Sequence, residues 1–469
     1  MIEKTALFLA GFIPSLLTTI NSYTSYISSF FDREPAADAT RSIPEIIESR
    51  GFRSETYQVT TSDGYILTLF RIVNPFMKKN NIKTYPVLLA HGAVCDAGQW
   101  LINSDDGHLA PTRQESPNDK KNDKRPKQKM TNNLGFLLAN EGYDVWLLNF
   151  RGSKYSRAHK KLTAKDGKFW DFSNDEIIQQ DLPACLDFVL SKTGHPQIGY
   201  IGHSLGSIAM FGLLSHQPDY NSKIKPFIAM SPAVTMSRVF QELVIPVVKV
   251  TIPIPRFLVT PVLRAADMIL QASGPGELRI FHLTSKVISY VASGNMFQYH
   301  LSRGLQRLLS LFYVHSDLDP NRLSVFASQM HFWMSKKQLS HFMQQIIYNE
   351  FSRYDYGEEK NKIAYGDADP PLYDLREVTN QTIAMIYSKT DAVHSPGDVE
   401  NVISHLKVPV IGDFRVKDPN FSHLDFVFCS KLGILVNPEI LKILRKVKAV
   451  PDHVAANGTT SAAATSTMV

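Results

Sequence analysis

Cysteine is scarce: Cys95, Cys185 and Cys429 are the only three in 469 residues. Their spacing matches no metal motif, and an odd number cannot all pair within one chain, so a scaffold built on disulfides is excluded. The excess of one sign of charge is small too, since 50 Lys and Arg against 44 Asp and Glu leave a formal net charge of +6. Between residues 105 and 130 seven Lys and Arg stand against five Asp and Glu, and so mild an overall excess implies no nucleic-acid partner. There is no internal repeat, and long uncharged apolar runs are missing except near the N-terminus. Thr5 to Phe31 contains no charged residue, and Ala6–Leu17 is strongly apolar. That apolar core has the length of a signal-peptide h-region and falls short of the ~20 residues that span a bilayer. Residues 1–31 are therefore expected to be a secretory signal, with an uncleaved membrane anchor as the alternative.

What is present is globular. A chain that is 44% hydrophobic and 20% charged is neither disordered nor fibrous. Its length suits one large α/β domain with an insertion, or two domains. After a polar linker at 32–42, Ile46–Gly51 reads as a short helix stopped by glycine. Tyr57–Ile72 alternates around Ser62-Asp63-Gly64 as a hairpin. Pro86–Ala90, Tyr143–Leu148, Ile198–Ile201 and Phe227–Met230 read as buried strands, with a helix over Asp181–Leu190. The alternation stops after Ser231-Pro-Ala233. It resumes with a strand at Thr382–Tyr387, a helix at Asp398–Leu406 and a strand at Val408–Ile411. The prediction is a mostly parallel α/β sheet whose core, 32–235 and 381–450, is interrupted by a helical cap over 236–380. Leu243–Val248 and Ile252–Val259 in the cap are apolar and broken by proline; they are candidates for a lid, or simply cap core. Residues 105–130 are basic and poor in apolar side chains, and read as a disordered loop. That loop is either a tolerated insertion or a contact for an anionic lipid surface. The tail at 451–469 is low-complexity and read as disordered.

Ser204 lies in Gly202-His203-Ser204-Leu205-Gly206, after an apolar strand and before a helical run. This is the G-x-S-x-G nucleophile elbow in its strand–turn–helix setting, where the glycines let strand and helix pack closely. A serine hydroxyl needs a base, and the base needs an orienting carboxylate. In this setting the chain order is Ser, then acid, then His. Asp391 follows the late strand and is the candidate acid; Asp398 competes but reads better as a helix N-cap. His423, in Asn420-Phe-Ser-His-Leu-Asp-Phe426, is the candidate base from a late loop. His405 is a decoy on a helix, Asp425 is too close in the chain to serve as acid, and His91 precedes the serine and reads as structural. Backbone N–H donors for an oxyanion are expected from Leu205 and from Ala93 in His91-Gly-Ala-Val94.

These residues, with Asp63-Gly-Tyr-Ile-Leu67, Gly142-Tyr-Asp-Val-Trp146, Asn149-Phe-Arg-Gly152, Phe169-Trp-Asp-Phe172, Asp181-Leu-Pro-Ala184, Phe351–Gly357, Pro370-Pro-Leu-Tyr373 and Phe421-Ser-His-Leu-Asp425, resemble the acid lipase family, across most of 43–445. The resemblance implies a capped α/β-hydrolase without metal or cofactor. It implies hydrolysis of neutral-lipid esters, triacylglycerol or steryl ester, at an oil–water or membrane interface. Ser204, Asp391 and His423 match the family's triad, and Leu205 and Ala93 its oxyanion donors. A non-catalytic lipid-binding protein of the same fold and a membrane-anchored steryl ester hydrolase are the alternatives. The sequence departs from the family at Leu205, where glutamine is usual, and at Ala93–Gly98, which replaces a leucine-rich stretch. It also lacks the cap cysteines of the mammalian enzymes and carries the extra basic loop at 105–130, so neither lysosomal routing nor an acid optimum carries over with the resemblance. Secretion, extracellular or lysosomal, would fit the sequons at Asn380, Asn420 and Asn457.

Overall fold

The computed structural model describes residues 36–79, 84–110, 130–237, 276–279, 319–329 and 333–448. The segment at 1–31, most of the basic loop, both lid stretches and the tail at 451–469 lie outside these residues, as does much of the expected cap.

Ser42 opens helix α1 (Ile43–Ser49) with a capping box: its hydroxyl accepts from Glu45 N–H, and the Glu45 carboxylate accepts from Ser42 N–H. The hairpin of β1 (Arg53–Thr60) and β2 (Tyr65–Val73) follows, turning through Gly64 at φ +100°. Next come β3 (Pro86–Ala90), β4 (Asp144–Leu148), the short β5 (Ala158–His159), β6 (Ile198–His203) and β7 (Ile224–Met230). Between β7 and β10 (Ile383–Tyr387) the described chain is mainly helical, with one small ribbon of β8 (Glu277–Arg279) and β9 (Trp333–Ser335). With β11 (Gly412–Arg415) as the last strand, the large sheet runs β1-β2-β4-β3-β6-β7-β10-β11, with β5 beside β2. From β4 onward every neighbour is parallel; the pairs made by β2 are antiparallel.

The last strand is displaced from its expected place. Val408–Ile411 is not a strand, and β11 is Gly412–Arg415, registered Ala384↔Gly412. Pro409 has no N–H for a ladder, so pairing begins only at Ile411 N–H, which donates to the Ile383 carbonyl at 2.7 Å.

Alternate residues of each central strand feed opposite cores. Leu88, Trp146, Tyr200 and Met385 pack on one face; Leu89, Leu147, Ile201 and Ile386 pack on the other. Both faces are covered, as a parallel sheet requires, and each such side chain contributes about 1.5–3 kcal/mol. The helix after the elbow, α2 (Leu205–His216), is buried on all sides up to Ser215. It therefore forms an interior wedge, and its position is set by packing all round.

Candidate active site

Ser204 sits between β6 and α2 at φ 51°, ψ −110°, a strained conformation for a side-chain-bearing residue. Two glycines make room for it. A Cβ on Gly202 would lie 2.5 Å from the Gly206 backbone, and one on Gly206 would lie 2.5 Å from the Ala90 carbonyl oxygen. Three bonds lock the bend. Ser204 N–H donates to the Met230 carbonyl at 3.0 Å, Ser207 Oγ to the Gly202 carbonyl at 2.7 Å and Tyr200 OH to the Gly206 carbonyl at 2.7 Å.

The late loops deliver the other two groups. His423 Nε2 lies 2.9 Å from Ser204 Oγ, and His423 Nδ1 is 3.0 Å from each Asp391 oxygen. All three residues are buried. Thr390 Oγ1 donates to the Pro419 and Phe421 carbonyls and so ties the acid loop to the base loop. Asp425 accepts from Ser422 N–H at 2.6 Å, fixing the turn that carries His423. Burial works against charge on Asp391, but the two facing imidazoles, of His394 and His423, outweigh it and hold the carboxyl well below its ordinary value.

The remaining candidates fall elsewhere. Asp398 is not an N-cap: Ser395 caps helix α3 (Pro396–His405), and Asp398, the third residue of the helix, completes its capping box. Its carboxylate is taken by Ser395, Thr235 and Ser237. His405 is exposed on α3. His91 is a buried clamp, its Nε2 accepting from Phe150 N–H at 3.1 Å and its Nδ1–H donating to Gly92 O at 2.7 Å. Burial lowers its pKa to about 4 and that of His203 to about 3, so both stay neutral.

Two neighbours of the acid escaped the sequence reading. Ser231, the residue after β7, has φ 47°. Its Oγ donates to Asp391 Oδ2 at 2.5 Å and lies 2.7 Å from His423 Nδ1. His394 Nε2 is 3.3 Å from Asp391 Oδ2 and 3.1 Å from Ser231 Oγ. A histidine three residues past the candidate acid was the one available signal.

The loop after β3 closes over the serine. A Cβ at Gly92 would lie 2.8 Å from His203 Nδ1 and 3.4 Å from Ser204 Cβ. Gly92 N–H donates to Gln99 Oε1 at 3.0 Å, and Val94 adopts φ 58°. Ala93 N–H follows directly, and Leu205 N–H belongs to the first turn of α2, where no intrahelical acceptor exists. Neither is engaged by a described residue. Burial pushes the nearby Cys95 thiol well up, which keeps it inert.

Among the described residues, Asp391, His394 and His423 are the one group whose ligand atoms, within 4.8 Å of one another, could hold a metal ion. Those atoms already touch at hydrogen-bond distance, and His423 Nε2 is directed to Ser204. Of the sequons, Asn380 is buried, its Nδ2 donating to Asn221 O and Ile224 O, so it has no room for a glycan. Asn420 is exposed, and Asn457 lies outside the described residues.

Residues 43–104 match a family described as a partial α/β-hydrolase lipase region, and residues 130–250 match the α/β hydrolase fold. Lipase 1 of Drosophila melanogaster is 31% identical over 417 residues, spanning 87% of this chain and 81% of that protein. Lipase member K of Homo sapiens is 31% identical over 399 residues, 83% of this chain and 87% of the relative. For the lysosomal acid lipase/cholesteryl ester hydrolase of Macaca fascicularis the identity is 29% over 413 residues, 87% and 92% of the two chains.

Proposed function

Because this chain belongs to the acid lipases of the α/β-hydrolase superfamily and is a carboxylic ester hydrolase, we propose that Ser204, His423 and Asp391 are its triad and neutral-lipid esters its substrates. The observation that carries this is the unbroken chain from Ser204 Oγ through both ring nitrogens of His423 to Asp391. Ser204 Oγ attacks the ester carbonyl carbon as His423 Nε2 takes its proton. Asp391 holds the Nδ1–H tautomer and stabilises the imidazolium. The Leu205 and Ala93 N–H groups receive the oxyanion, the kind of donor whose loss costs roughly 10²–10³ in rate. His423 then protonates the leaving alcohol, and water, activated by the same imidazole, hydrolyses the acyl-enzyme.

Triacylglycerol and steryl ester are the substrate classes this reading favours, at a lipid–water interface. The name of the macaque relative, which includes cholesteryl ester hydrolysis, supports the second. The uncharged N-terminal segment and the lysosomal name of that relative support a secreted or lysosomal location over a membrane anchor. A fluorophosphonate probe should label the wild-type protein and not Ser204→Ala; an unlabelled wild type would end the triad reading. Hydrolysis of a long-chain triacylglycerol, a steryl ester and a short ester, each compared across pH, assigns the substrate. N-terminal sequencing of the mature protein decides the topology, and retention of residues 5–17 would overturn a cleaved signal.

A further inference from the structure

The triad carboxylate is shared. Asp391 is completely buried between two imidazoles, that of His423 on one side and that of His394 on the other. The Ser231 hydroxyl bridges all three: it donates its proton to Asp391 Oδ2, and its lone pairs face His423 Nδ1 at 2.7 Å and His394 Nε2 at 3.1 Å. Both nitrogens of His394 face acceptors, Nε2 toward Asp391 and Ser231, Nδ1 toward the Ser395 carbonyl at 3.4 Å. That arrangement suits an imidazolium with a proton on each nitrogen. The titratable groups around it are Asp391 on its own loop, Asp398 on α3, His423 from the late loop and His203 at the end of β6.

We propose that His394 is a positioning residue that carries a proton behind Asp391, shares the carboxylate's charge and so keeps His423 free to act as base at lower pH than Asp391 alone would allow. The sign follows from the charges. A carboxylate beside His423 raises that imidazole's hold on a proton, and a second cation, its ring centre 6.2 Å from His423, opposes the rise. Less proton affinity at His423 leaves more of it neutral in mild acid, and only neutral His423 accepts the serine proton. Burial works against charge on His394, but the Asp391 carboxylate outweighs it, so the proton is held above the ordinary imidazole range. As pH rises through that point His394 discharges, and the full carboxylate charge acts on His423 alone.

The inference rests on the triad assignment, and its test separates the two. Profiles of kcat/KM against pH are recorded for wild type and His394→Gln with a soluble short-chain ester, folding being checked by circular dichroism and thermal melting. Removing the cation is expected to move the acid limb upward by about one pH unit, a roughly tenfold loss on that limb, with activity above pH 8 changed less than about threefold. An acid limb that stays put, or an equal loss at every pH, overturns the proposal. If His394→Gln does not fold, imidazole ¹⁵N spectra of the wild-type protein decide. Two protonated ring nitrogens on His394 at neutral pH support the proposal, and a neutral ring refutes it. The spectra answer even for a protein without esterase activity, so failure of the triad reading is seen separately.

Discussion

The elbow and the acid loop solve the same problem, placing one side chain to within hydrogen-bond distance, by different means. At the elbow the backbone does it. Gly202 and Gly206 are there because any Cβ would strike a neighbouring main chain, and Ser204 sits in a strained bend locked by three bonds. At the acid loop, side chains do it: Asp391 is held by Ser231, His394, His423 and the N–H groups of Val393 and His394. A region built by sterics fails abruptly when altered, whereas one built by several hydrogen bonds fails by degrees.

Substitutions can break or sharpen that contrast. Ser204→Ala should lower kcat by about 10⁶ with the melting temperature nearly unchanged, measured by single-turnover hydrolysis. Asp391→Asn should cost roughly 10⁴ in kcat, because the amide supports the wrong tautomer of His423. The control Asp398→Asn loosens the start of α3 and its ties to Thr235 and Ser237, and should stay within about tenfold. Gly206→Ala should destabilise the fold by about 3 kcal/mol, read as a lowered urea midpoint. Gly397→Ala, whose Cβ would meet nothing closer than Ser395 Oγ at 3.6 Å, should leave that midpoint almost unmoved.

Acid should also act through the elbow side. His91 and His203 titrate in the fold at about 4 and about 3, against 6.5 in the unfolded chain. The unfolded state therefore binds their protons first, and stability falls as pH drops below 6.5. Between pH 7 and 5 each histidine should cost on the order of 2 kcal/mol, and His91→Gln should flatten the fall in melting temperature. The smallest effect is expected at Gln99→Ala, which frees Gly92 N–H and the loop before Ala93. A loss of about tenfold in kcat with KM unchanged would fit a loosened oxyanion loop; a change in KM alone would not.

The same contrast explains what could be read from the sequence. The elbow is legible because its requirement is local: five consecutive residues carry the whole steric demand, and the apolar runs around them declare strand and helix. Ser204, Asp391 and His423 were each singled out by type, order and loop position, and the structure brings them together. Ser231 was not, because its partner Asp391 lies 160 positions away and nothing near Ser231 marks it as polar for a reason. Asp398 was misread by three residues because the true cap, Ser395, hides before Pro396. The shift of β11 came from Pro409, whose missing N–H matters more than the apolar character of Val408–Ile411.

One peptide, Met230-Ser231, touches both ends of the chain of proton donors and acceptors. The carbonyl of its first residue anchors the nucleophile's backbone; the hydroxyl of its second grips the acid, and its N–H is fixed to Ile386 on β10. Nucleophile and acid are thus hung from a single hook at the strand end from which the chain departs toward residues 238–275. A change at this one peptide therefore reaches the nucleophile's backbone and the acid's carboxylate together.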